Sequence, residues 1–134
     1  MFKDNTSVST FKTPGTTNRD GNAGGLDELL AAWRLMCEAV SMTAVYEANR
    51  AACKYVHSTS RGHEAIQIAA GLQLRPWDFA APYYRDESML LAMGFTPYEL
   101  MLQRLAKAEE PCAAGRSYYS QRSSRQAKRP GIPH

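Results

Sequence analysis

The stretch Leu26-Asp27-Glu28-Leu29-Leu30-Ala31-Ala32-Trp33-Arg34-Leu35-Met36-Cys37-Glu38-Ala39-Val40 decides the fold class. Leu26, Leu29, Leu30, Trp33, Met36, Cys37 and Val40, with Ala44 beyond, recur at the i, i+3, i+4, i+7 spacing of one helical face. Asp27 and Glu28 stand near the positive end of the helix dipole, where acids are favoured. The spacing predicts a helix that packs on this face and runs to about Lys54. A break is expected near Ser41 to Thr43, where hydroxyl and β-branched residues lower helix propensity.

Three further helices follow from local signals. His63 to Leu74 reads as a helix rich in small residues (Ala65, Ala69, Ala70, Gly71), which implies close backbone packing. Asp86-Glu87 open a third, Ser88 to Met93, which Gly94 closes. Thr96-Pro97-Tyr98-Glu99 carries Thr at N-cap, Pro at N1 and Glu at N3, a capping box that starts a fourth helix through about Lys107. Between the second and third, Phe79 to Tyr84 is interrupted by Pro82 and reads as an extended loop rather than a central strand. No internal repeat and no sustained alternation interrupts this mainly α pattern.

Moving outward, residues 1–25 are dominated by Thr, Ser, Asn, Gly and Lys and lack apolar periodicity, the composition of a flexible arm. Residues 26–114 form the helical body. Residues 115–134 are a basic tail with Arg116, Arg122, Arg125, Lys128 and Arg129 and no acid. The whole chain has 134 residues and a net charge of +3, so the tail's +5 leaves the remainder at −2. Basicity therefore belongs to the tail and not to the body. The chain has no uncharged apolar run near the ~20 residues of a bilayer span and no secretory h-region at its start, so membrane insertion and secretion are not expected. Cys37, Cys53 and Cys112 form no CxxC pair and no even framework, which fits a reducing cytoplasm.

The stretch with most chemical content is Pro82-Tyr83-Tyr84-Arg85-Asp86. A guanidinium fork matches two phosphate oxygens, a Tyr hydroxyl adds a donor, and the amides of the following helix favour an anion, which together suit a diphosphate. The competing arrangement pairs Arg85 with Asp86 or Glu87 while the tyrosines pack. Cys53, His57 and His63 do not match a zinc spacing, and no metal ligand set is assigned. Glu64 is either a first-turn dipole partner or a buried functional carboxylate.

Four segments taken in order resemble the alpha region of the thiamine-diphosphate-dependent 2-oxo acid dehydrogenases: His57-Ser58-Thr59-Ser60-Arg61-Gly62-His63-Glu64-Ala65, Pro82-Tyr83-Tyr84-Arg85-Asp86, Gly94-Phe95-Thr96-Pro97-Tyr98-Glu99-Leu100 and Gly115-Arg116-Ser117-Tyr118-Tyr119-Ser120. The resemblance covers about Leu26 to His134 and is nearest to bacterial forms with fused alpha and beta regions. It implies the N-terminal helical part of an α/β thiamine-diphosphate-binding fold. The implied activity is oxidative decarboxylation of a 2-oxo acid, branched-chain before pyruvate, with acyl transfer to a lipoyl group. In that family the Tyr-Arg pair contacts the cofactor diphosphate, which falls on Tyr84 and Arg85, and a His ahead of Gly-X-Glu helps to place the 2-oxo acid, which falls on His57.

The family's Gly-Asp-Gly motif, which serves the Mg²⁺ that accompanies the diphosphate, is absent, and so is the beta region with its activating glutamate. The chain thus reads as an N-terminal fragment or truncated product, inactive alone and without an assigned catalytic residue. Implied partners are a beta region or subunit, a lipoyl-bearing acyltransferase and further copies in an oligomer, with no nucleic acid. A second reading, from a different class, is a small helical binding module whose basic tail engages RNA or a protein.

Overall fold

In a computed structural model, residues 24–54 and 58–119 are described. They form α1 (Gly24–Ala48), a 3₁₀ turn (Arg50–Ala52), α2 (Glu64–Gln73), α3 (Glu87–Ala92) and α4 (Pro97–Arg104). Among the described residues there is no extended strand, only an isolated bridge at Phe79. The architecture is mainly α, as the helical periodicity implies. Most of the arm, the tail beyond Tyr119, and His57 lie outside the described residues.

Helix α1 is continuous over 25 residues. The expected break at Ser41 to Thr43 does not occur, because the Ser41 hydroxyl donates to the Cys37 carbonyl at 2.8 Å and so satisfies itself within the helix. The helix ends at Ala48 rather than near Lys54: the Asn49 side chain donates to the Val45 carbonyl at 2.9 Å and the backbone tightens into the 3₁₀ turn. On length and mean hydropathy (1.2) the segment Gly25–Ala48 meets the measure of a membrane span, which qualifies the expectation that no such run exists. One of its faces is nevertheless committed to packing within the chain.

That face differs from the one the apolar spacing selects. Ala31, Ala39, Met42, Thr43 and Tyr46 are buried, whereas Leu26, Leu29, Leu30, Trp33 and Val40 are exposed, Trp33 at 61%. α1 lies across α2 and α3, and the core joins Ala39, Met42 and Tyr46 to Leu90, Leu91, Met93, Phe95 and Leu100. The buried face thus combines the small Ala39 with the large Met42 and Tyr46, while Leu29, Leu30 and Trp33 face outward.

Helix α2 packs chiefly on α3. A Cβ on Gly71 would stand 2.6 Å from the Ala92 Cβ and 2.8 Å from the Met89 carbonyl oxygen, so the close packing expected of the small residues is real at Gly71. Ala65, Ala69 and Ala70 are exposed instead.

Helix α3 closes in a Schellman motif: Gly94 takes φ 93°, its N–H donates to the Leu91 carbonyl, and the Phe95 N–H donates to the Leu90 carbonyl. The capping box of α4 is complete. Glu99 N–H donates to the Thr96 hydroxyl, and the Thr96 N–H donates to the Glu99 carboxylate at 2.8 Å. α4 stops at Arg104, short of Lys107, because Ala106 enters the left-handed region at φ 52° and the Lys107 N–H returns to the Leu102 carbonyl.

Candidate functional site

The loop ahead of α3 is a tight turn. The Asp86 N–H donates to the Tyr83 carbonyl at 2.9 Å, and the Asp86 carboxylate accepts the Tyr83 N–H at 2.7 Å. Gln67 on α2 reaches the same turn, its amide donating to the Arg85 carbonyl at 2.9 Å and to Asp86 Oδ1 at 3.3 Å. These contacts fix Tyr84 and Arg85 at the two central positions. The Tyr83 and Tyr84 ring centroids lie 4.0 Å apart, and Tyr84 meets Tyr118 edge-on at 6.4 Å. The segment Gly115 to Tyr119 is thereby brought against the Tyr-Arg turn.

Arg85 is exposed, with its guanidinium carbon 5.5 Å from the Tyr84 ring centroid. Hydrogen bonding from Tyr83, and then from Arg85, holds the Tyr84 hydroxyl below the ordinary phenol range, while Tyr83 is pushed above it. Neither acid that follows Arg85 is bridged to its guanidinium. Asp86 closes the turn, and Glu87 points inward to Arg104. Helix amides add less than the sequence reading allows: α3 has only six residues, too short for a substantial dipole, and Asp86 stands at its N-cap.

Behind the turn lies a cluster that sequence reading did not single out. Glu87 and Arg104, 0% and 1% exposed, form an ion pair at 2.8 Å. Glu87 also accepts the Tyr119 hydroxyl at 2.9 Å, the Ser60 N–H at 3.0 Å and the Ser60 hydroxyl at 3.2 Å. The Ser60 and Ser88 hydroxyls are 2.7 Å apart. The Arg104 guanidinium lies between the Tyr46 ring at 3.7 Å and the Tyr119 ring at 4.3 Å, and it also donates to the Ser58 carbonyl. Burial works against the Arg104 charge, yet Tyr119, Glu87 and Tyr46 together hold it above its ordinary range. One carboxylate thus ties the Ser58 to Ser60 segment, α3, α4 and Tyr119 together.

The signal for this pair was present. Glu87 shares a helical face with Leu90 and Leu91, and Arg104 with Leu100 and Met101, so each charge sits on an apolar stripe.

Glu64 is buried in the first turn of α2, and its carboxylate accepts the Gly62 N–H at 2.8 Å. Arg61 is engaged on the surface with Glu47 at 2.6 Å. Among the described residues no three His, Cys, Asp or Glu side chains gather as a metal site; His57 lies outside them.

The model of the dehydrogenase E1 component family matches residues 34–133, well over half of the chain. The chain belongs to the dehydrogenase E1 component family. It is 39% identical over 69 residues to the 2-oxoisovalerate dehydrogenase subunit alpha of Bacillus subtilis, an alignment covering 48% of this chain and 21% of that protein. It is 41% and 43% identical over 58 residues to the mitochondrial alpha 2 and alpha 1 subunits of 2-oxoisovalerate dehydrogenase from Arabidopsis thaliana, covering 43% of this chain and 12% of each. The alignments thus span about a fifth or less of these relatives' length. No solved structure matches the chain. In this E1 component chain the described helices agree with the N-terminal helical part that the motif resemblance implies.

Proposed function

We propose that this chain is the part of a 2-oxo acid dehydrogenase alpha region that grips the diphosphate of thiamine diphosphate, with Tyr84 and Arg85 as the gripping residues. The observation that carries the reading is an exposed guanidinium beside a Tyr hydroxyl, on a turn whose two neighbouring carboxylates are both engaged elsewhere. That donor set fits a diphosphate: a planar fork for two oxygens, and a phenol that donates one more hydrogen bond. The cofactor, when bound, supplies the carbanion-stabilising centre for decarboxylation. The protein's own residues bind and orient it, and the buried Glu87 cluster keeps the Tyr119 segment and the Ser60 loop in register behind the turn. Mg²⁺, which accompanies the diphosphate, would take its oxygen ligands from residues outside this sequence.

Because the relatives are named 2-oxoisovalerate dehydrogenase alpha subunits, a branched-chain 2-oxo acid is the proposed substrate, ahead of pyruvate. His57 is the proposed contact to it. The acyl group would pass to the lipoyl group of an acyltransferase, with a beta region completing the site in a cytoplasmic oligomer.

Titration of thiamine diphosphate with Mg²⁺ into the enzyme assembled on this chain tests the reading. Arg85→Ala removes a charge-assisted fork, and charged hydrogen bonds contribute about 1.5–3 kcal/mol each, so affinity should fall by about ten- to a hundredfold. Arg85→Lys should recover part of it, and Arg125→Ala in the tail should change little. Equal dissociation constants for wild type and a folded Arg85→Ala would overturn the reading.

A further inference from the structure

Gln67 lies on α2, eighteen positions before Arg85, outside every segment that carries the family resemblance to the diphosphate site. We infer that Gln67 is a positioning residue that sets the Tyr84-Arg85 turn for anion binding; this rests on the reading of Arg85 as a diphosphate ligand. Its amide nitrogen donates to two acceptors of the turn, the Arg85 carbonyl at 2.9 Å and Asp86 Oδ1 at 3.3 Å. Because both partners are acceptors, they fix which end of the amide faces them. The other carboxylate oxygen of Asp86 accepts the Tyr83 N–H, so a single side chain on α2 restrains the turn at its third and fourth residues and, through Asp86, at its first.

The remaining amide atom separates a positioning role from a merely structural one. Gln67 Oε1 is buried and has no hydrogen-bond partner, a state that opposes folding. The acceptors it serves are less demanding: the bond to the Arg85 carbonyl lies at the surface and that to Asp86 is only partly buried, so water can replace the donor. An apolar side chain of the same length should therefore fit at least as well as glutamine. What it would lose is the orientation of the Arg85 backbone, from which the guanidinium is carried toward its anion.

Gln67→Met tests this without altering charge. The enzyme assembled on this chain is titrated with inorganic diphosphate in the presence of Mg²⁺ while the Arg85 Nε–H resonance is followed by NMR, and thermal unfolding of the same samples is recorded. The expected result is a saturable Arg85 shift in wild type and a dissociation constant raised about three- to tenfold in Gln67→Met, with an unfolding midpoint equal to or above that of wild type. Gln67→Glu, which sets a carboxylate against the Arg85 carbonyl and Asp86, should bind more weakly still. Relative to wild type it should regain affinity as the pH falls and its neutral acid can donate again.

An unchanged constant in both variants, with Arg85→Ala abolishing the shift, would overturn the positioning role and leave the diphosphate reading standing. A lowered midpoint that accounts for the whole loss of binding would reduce Gln67 to a structural residue. No Arg85 shift in wild type would overturn both.

Discussion

Glu87 shows how one residue can be misread from its neighbours. Next to Asp86 at a helix start it looks like a second dipole acid, but the apolar face it shares with Leu90 and Leu91 turns it into the core, where Arg104, Tyr119 and Ser60 satisfy it. A buried charge left without its counter-charge is strongly destabilising, so Glu87→Gln, which keeps the shape but removes the counter-charge of Arg104, should cost about 3–5 kcal/mol in urea unfolding. Tyr119→Phe keeps the ring against Arg104 and loses only the donor to the carboxylate. It should cost about 1.5–3 kcal/mol in the same measurement. The turn that presents Tyr84 and Arg85 was legible because its residues are consecutive in the sequence. Gln67 was not, since its link to Arg85 exists only once α2 packs beside the turn.

At the scale of elements, the helices with explicit stop and start chemistry were the ones read most closely. Gly94 and the Thr96-Pro97-Tyr98-Glu99 box act on the next few backbone groups alone, and both behave as their chemistry requires. Thr96→Ala should cost about 1 kcal/mol of stability in a thermal melt, because the Glu99 N–H loses its acceptor. The ends of α1 and α4 were read too long, since Asn49 and Ala106 change the backbone there without the Gly or Pro that would announce it. Gly71→Ala should destabilise by about 1–3 kcal/mol in the same melt. The added methyl meets the Met89 carbonyl oxygen, which cannot move without α3 moving from α2.

In the whole molecule, the buried tyrosines set a pH limit. Burial, the largest cause, and the Glu87 charge push Tyr46 and Tyr119 above the ordinary phenol value of 10.0. Groups whose folded pKa is raised contribute stability that is fully present below the unfolded value and is lost above it, because the native state then binds more protons than the unfolded one. Unfolding free energy should therefore be insensitive to these groups up to about pH 10 and fall as the pH rises further. Denaturant titrations across that range should show a shallower fall in Tyr119→Phe. The sequence by itself determined what depends on neighbours along the chain: four helices, the capping box, the Gly94 stop, and a turn presenting Tyr84 and Arg85. Which stripe of α1 is buried was decided only by the tertiary structure, because the core takes the Ala39, Met42 and Tyr46 face and leaves Trp33 and Leu29 outside. Periodicity says that a helix has an apolar face; only the shape of what packs against it selects which one.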